Sequence, residues 1–169
     1  MHPETLLICG ARALALSPTA EAWARARIVE AIRALPAGSR VLFGNAAGPD
    51  TWASDAAKAA GLKWQRFYPS GDVIDHDGTH AFWMFSAFAP RPRTPEQWRQ
   101  RLLARDRAMA AALGSMLGQR RALGLLAPWP NADGRRTHGT DYTLRCCRAA
   151  GVEVVTALTC PAELGPAGA

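Results

Sequence analysis

Lysine is almost missing from this sequence: of twenty basic residues, only Lys58 and Lys63 are not arginine. Fourteen acids leave a formal net charge of +6, which suits an anionic partner such as a nucleotide or nucleic acid. A basic tail or Lys/Arg block is also missing. The arginines stand apart, at Arg25, Arg27 and Arg33, from Arg99 to Arg107, at Arg120 and Arg121, and at Arg135 and Arg136. That scatter permits nucleic acid as a partner but does not favour it. Cysteine is scarce, with Cys9, Cys146, Cys147 and Cys160 only. None has C-x-x-C spacing, and the adjacent pair suits neither a zinc site nor an ordinary disulfide. Long apolar runs are absent, so no membrane partner is expected. The run Leu6 to Cys9 is too brief for a signal peptide, which makes the cytoplasm the expected compartment.

What is present is a globular composition, 49% apolar and 20% charged over 169 residues, the size of one domain. Short apolar runs ending on glycine, at 5–9 and 40–44, read as buried parallel strands. Ser17-Pro18 opens a helix that carries Ala24, Ile28, Ile32 and Leu35 at helical spacing. A second helix runs from Asp50 to Ala60 with Gly61 as its stop, and a third strand covers 63–67. Thr94-Pro95-Glu96-Gln97 is a capping box opening a third helix. Further strands at 122–127 and 152–155 flank a helix from Thr140 to Ala150, and a Gly/Pro/Ala tail follows. The alternation predicts an α/β fold: one Rossmann-like three-layer domain over 1–169 with a mainly parallel five-stranded sheet of order 3-2-1-4-5.

A long insertion after the third strand, 69–95, breaks this rhythm and reads as an inserted lid or partner loop. Its aromatics Phe82, Trp83, Phe85 and Phe88 are expected under the lid or at an interface between copies in a homo-oligomer. Asp75-His76-Asp77 with His80 has metal-ligand residue types, but Gly78 and the two aspartates favour a polar turn, and no metal is expected.

In such a sheet, ligands sit outside the carboxyl ends of the strands. Three loops there have suitable chemistry. Gly10-Ala11-Arg12 combines close backbone approach with a guanidinium fork for phosphate. Gly44-Asn45-Ala46-Ala47-Gly48-Pro49-Asp50 is a small-residue loop opening a helix, and His138-Gly139-Thr140 opens another. Helix N-termini offer unpaired N–H groups to phosphate. Taken singly, each glycine is a tight turn, Arg12 a surface residue and Asp50 a helix cap. Their shared edge joins them into one candidate site.

These loops, with Arg105-Asp106-Arg107-Ala108-Met109 and the ending Ala149-Ala150-Gly151-Val152, resemble the SLOG superfamily, and within it the YspA-type Rossmann-like domains. The resemblance covers about 5–156 apart from the insertion. It implies a nucleotide or nucleotide-derived phosphate ligand, no other cofactor, and a site of Gly10, Ala11, Arg12, Gly44, Asn45, Gly48, Asp50, Arg105, Gly139 and Thr140. Asn45, Pro49 and Asp106 depart from the pattern, where glycine, alanine and asparagine are usual. An acid at 106 repels phosphate unless Arg105 or Arg107 pairs with it; otherwise it is placed to bind ribose hydroxyls.

The same superfamily holds the lonely-guy phosphoribohydrolases, formerly labelled lysine decarboxylases, which resemble P-G-G-x-G-T-x-x-E. Thr143 stands where their glutamate belongs, so residue-wise transfer does not support N-glycosidic cleavage of nucleoside monophosphates, and binding or sensing is favoured over turnover. Asp50, Asp106 and Asp141 remain as acid–base candidates without a second group to assist. A DprA-like DNA-binding module is the third reading. The scattered arginines and the lack of aromatic–basic alternation speak against it.

Overall fold

Backbone hydrogen bonding in a computed structural model, which describes residues 2–82, 91–136 and 138–167, joins seven strands into one sheet. In chain order these are β1 (Glu4–Gly10), β2 (Arg40–Phe43), β3 (Lys63–Phe67), β4 (Asp72–Asp75), β5 (His80–Phe82), β6 (Gln119–Leu126) and β7 (Val154–Thr159). Their order is β5-β4-β3-β2-β1-β6-β7. Pairs within β3-β2-β1-β6-β7 are parallel, in the order expected from the sequence. Among the described residues the α-helices are α1 (Pro18–Arg33), α2 (Pro49–Ala59), α3 (Pro95–Ser115) and α4 (Gly139–Ala149). The protein is thus α/β with a single mixed sheet.

Five strands were too few. Within the insertion, β4 pairs antiparallel to β3 and β5 antiparallel to β4, so part of that stretch widens the sheet. Both are short, with β5 outermost on that side among the described strands, and they are joined by the Asp75–Gly78 turn, where the Gly78 N–H donates to the Asp75 carbonyl (2.9 Å) and Gly78 takes φ +83°. The polar turn residues hide the alternation on either side of them. The expectations for Trp83, Phe85 and Phe88 lie outside the described residues, as does the side chain of Phe82.

Alternating residues of the parallel strands feed two cores. Leu6, Ile8, Val41 and Phe43 pack with Ala24, Ile28, Ala53 and Ala57 of α1 and α2. Leu7, Cys9 and Leu42 pack with Met109, Leu113, Leu144 and Cys147 of α3 and α4. Helices therefore cover both faces, and the buried parallel strands read as continuous apolar runs because neither face is wet.

The helix starts follow local chemistry. Ser17 caps α1 with Pro18 behind it, and Thr94 and Gln97 form the capping box of α3. β7 begins later and runs further than the 152–155 expected. It is an edge strand with half-exposed and exposed residues, so it lacks the apolar run that betrays a buried strand. The tail after it is packed: Cys160 is buried, and the Leu164 carbonyl accepts hydrogen bonds from the Ser17 and Thr19 hydroxyls at 2.6 and 2.9 Å. Among the described residues, no helix is long and apolar enough to cross a membrane.

Candidate functional site

Because β3, β2, β1, β6 and β7 run parallel, the loops after β1, β2 and β6 leave the sheet on one edge. Gly10, Ala11, Arg12, Gly44, Asn45, Gly48, Asp50, Gly139 and Thr140 all belong to that edge, and α3 brings Arg105 to it. The edge has a filled half and an open half.

The filled half lies over β1 and β2. A Cβ at Gly10 would stand 2.6 Å from Cγ of Pro49, so the first residue of α2 occupies the space above that glycine. A Cβ at Gly44 would stand 2.4 Å from Asp50 Oδ2 and 2.8 Å from Arg105 Nη1. Both glycines are small to admit the protein's own side chains. Gly48 is the N-cap of α2 at φ +88°, a conformation that strains any other residue.

Arg105 is buried and acts as a strut. Its Nε and Nη2 donate to Asp106 Oδ1 (3.1 and 2.8 Å), and Nη1 donates to Asn45 Oδ1 (3.1 Å). Nη1 also stands 4.0 Å from Asp50 Oδ2, which accepts the Ala46 N–H at 3.0 Å. Arg105 therefore ties α3 to the β2 loop and to the first turn of α2. Burial pushes the Asp50 and Asp106 carboxyls up from the usual carboxylate range, and the guanidinium pulls both back down. The acid at 106 is answered by Arg105, as the sequence required for any anion nearby.

This packing makes Gly44→Ala costly. The added methyl would press on a buried ion pair, and we expect a loss of about 2–4 kcal/mol. In a thermal melt that is a fall of roughly 10 °C for a chain of this size. A shift of less than about 2 °C would mean that the loop yields and that the strut is not held tightly.

The open half lies at the carboxyl ends of β1, β6 and β7. A crevice of about 190 Å³ is lined there by Ala11, Asn131, Arg136, His138, Asp141 and Thr159, among others. It sits where the strand order turns back, between β1 and β6, the point at which adjacent crossovers diverge and leave a gap. The first turn of α4 opens beside it: His138 is the N-cap and gives the helix no side-chain hydrogen bond. Arg136 uses Nη2 on the Pro128 carbonyl (3.0 Å). Arg12 is exposed near Gly48, and among the described residues its guanidinium makes no hydrogen bond or ion pair.

Of the residues named from sequence, Ala11 lines the crevice and Gly139 and Thr140 open the helix beside it. Arg12 is exposed, Asn45 is exposed but held through Oδ1 by Arg105, and Gly10, Gly44, Gly48, Asp50 and Arg105 belong to the filled half. His138, read from sequence as part of the loop that opens α4, lines the crevice, whereas sequence reasoning missed Asn131 and Arg136, which it read only as a loop. The expected strand order carried a signal for them, since it places the loop after β6 at the turning point of the sheet.

Thr143 is buried on α4, its hydroxyl shared between the Gly139 carbonyl (2.9 Å) and Asp106. The thiols are packing groups: burial raises Cys9 well above its ordinary value and pushes Cys147 up to about 12. Among the described residues, no three His, Cys, Asp or Glu side chains gather as a metal site. No family model, curated protein or solved structure matches this chain significantly.

Proposed function

We propose that this protein is a Rossmann-like domain of the SLOG, YspA-type kind that binds or senses a nucleotide or nucleotide-derived phosphate ligand in the cytoplasm. The observation that carries the reading is the crevice between β1 and β6, beside the N-terminus of an eleven-residue helix and carrying Arg136. Unpaired N–H groups at the start of α4 and the positive end of its dipole suit a phosphate. Asp141 at the rim suits ribose hydroxyls, a task Asp106 cannot perform while it is buried against Arg105. The volume of about 190 Å³ is below the roughly 300–1,000 Å³ of pockets that enclose a whole ligand. The crevice therefore holds phosphate and sugar and leaves the base outside.

Arg12, exposed on the same edge, reaches for the phosphate from the β1 side. Arg12→Ala should weaken binding by about 1.5–3 kcal/mol, the worth of a hydrogen bond to a charged group, or roughly 10- to 150-fold. Arg12→Lys should recover only part, because an ammonium lacks the bidentate fork. A thermal-shift series with nucleoside mono- and diphosphates, dinucleotides and ADP-ribose tests the reading. Stabilisation that Arg12→Ala removes is the expected result. No shift with any of them would sink it, and sustained release of free base from a nucleoside monophosphate would make the protein a hydrolase.

A further inference from the structure

The arginines that look scattered in the sequence converge on the outer side of α3. A groove of about 650 Å³ runs between residues 91–93 and the first half of that helix, lined by Arg91, Arg93, Arg101 and Arg107. The acid on its wall, Glu96, is engaged: Oε1 accepts from Gln100 Nε2 at 2.6 Å and Oε2 lies 3.5 Å from Arg99 Nη1. Arg107 Nη1 donates to the Tyr142 hydroxyl (2.9 Å), and Arg145 lies 5.9 Å from the centre of the same ring, so the positive strip continues onto α4. The neighbouring segment 83–90, Trp-Met-Phe-Ser-Ala-Phe-Ala-Pro, contains no acidic residue.

Among the described residues, α3 overshoots the sheet. Arg105 grips the β2 loop at the carboxyl edge, while Gly114, near the helix end, packs against Ala150 and accepts from Arg120 at the start of β6. The ten residues before Arg105 thus project about 15 Å beyond the strands. Trp98 and Leu102 on that stretch are exposed.

We propose that this groove binds the phosphodiester backbone of a nucleic acid. Four arginines against one neutralised acid make a field for a polyanion, and the groove shares no lining residue with the crevice at β1 and β6. Arginine, used here to the near exclusion of lysine, grips phosphate oxygens through a two-pronged fork. Gln97 turns its Oε1 inward onto the Arg93 N–H (2.7 Å), which leaves its amide N–H₂ as a neutral donor at the groove wall. Arg101 and Arg107 stand about 9 Å apart along the helix, the axial rise of nearly three nucleotides at about 3.4 Å each.

Fluorescence anisotropy with a labelled single strand of about 20 nucleotides, and with the matching duplex, tests this across about 50–200 mM salt. Three or four contacts predict a log–log salt slope of about −2 to −3 on the single strand. Arg101→Ala with Arg107→Ala should weaken binding at least about tenfold and make the slope shallower by about 1.4. Arg91→Ala with Arg93→Ala, outside the helix, should act in the same direction, and circular dichroism confirms that each variant folds. Arg25→Ala with Arg33→Ala, on α1, should stay within about twofold, since a distant charge adds little through the screening of salt. No binding at low salt, an equal loss in the α1 variant, or equal displacement by polyglutamate would overturn the proposal, the last pointing to an acidic protein surface instead.

Discussion

Replacing the buried strut, Arg105→Met, is expected to lower stability by about 3–5 kcal/mol at neutral pH, the cost of leaving buried charge without its partner. Methionine keeps much of the side-chain length, so the loss comes from charge rather than from a void. Two carboxylates depend on this one guanidinium: Asp106, held by two hydrogen bonds, and Asp50, 4.0 Å away. Asn45 also loses the donor that anchors its loop.

The pH dependence separates charge from packing. Burial raises both carboxyls above their unfolded values even with Arg105 in place. A group raised in this way contributes stability that is full below the unfolded pKa, about 3.9 for aspartate, and lost as pH rises through the folded pKa. Without the guanidinium the folded values climb further, so protonation relieves the variant at a higher pH than the wild type. The deficit of Arg105→Met should therefore shrink as pH falls from about 7.5 to 5 in paired urea denaturations. A deficit constant across that range would mean lost packing and would remove the electrostatic account.

Introducing at Thr143 the glutamate of the phosphoribohydrolase motif, Thr143→Glu, should damage the fold and yield no hydrolase. Thr143 is 2% exposed and its hydroxyl already adjoins Asp106. A glutamate there would be a third carboxyl around one arginine, with more side chain than the site holds. Full burial raises a carboxyl by up to about 3–5 pKa units, each worth about 1.36 kcal/mol, so a loss of about 4 kcal/mol or more is expected. The variant should melt at least about 10 °C below the wild type and release no base from a nucleoside monophosphate. If it melted within about 3 °C of the wild type, the helix face at 143 would open to solvent, and burial would not be what keeps a glutamate from that position.

The loops after β1 and β2 were legible as site candidates because parallel strands send them out on one shared edge, although each glycine taken singly reads as a tight turn. Why those glycines are glycine was not legible. Pro49 covers Gly10, and Arg105 reaches Gly44 from sixty residues beyond Asn45, a contact no local pattern encodes. The crevice was overlooked for a different reason: Asn131 and Arg136 look like any exposed turn, although the expected strand order already set β6 beside β1. The limit of local pattern also made the arginines at 91, 93, 101 and 107 look dispersed, since a helix and the chain leading into it fold a linear scatter into one wall.

By itself the sequence determined the alternation of strand and helix, the caps of α1 and α3, the order of the parallel strands and the edge on which the strand-end loops emerge. Each of these follows from apolar periodicity, from backbone groups that need a cap, or from the handedness of crossovers, all of which act over short stretches of chain. Only the tertiary structure decided that β4 and β5 widen the sheet, that the β1–β2 half of the edge is filled and that the β1–β6 half stays open. Those outcomes depend on which side chains from distant elements arrive in the same volume, and close packing lets only one set of atoms occupy it.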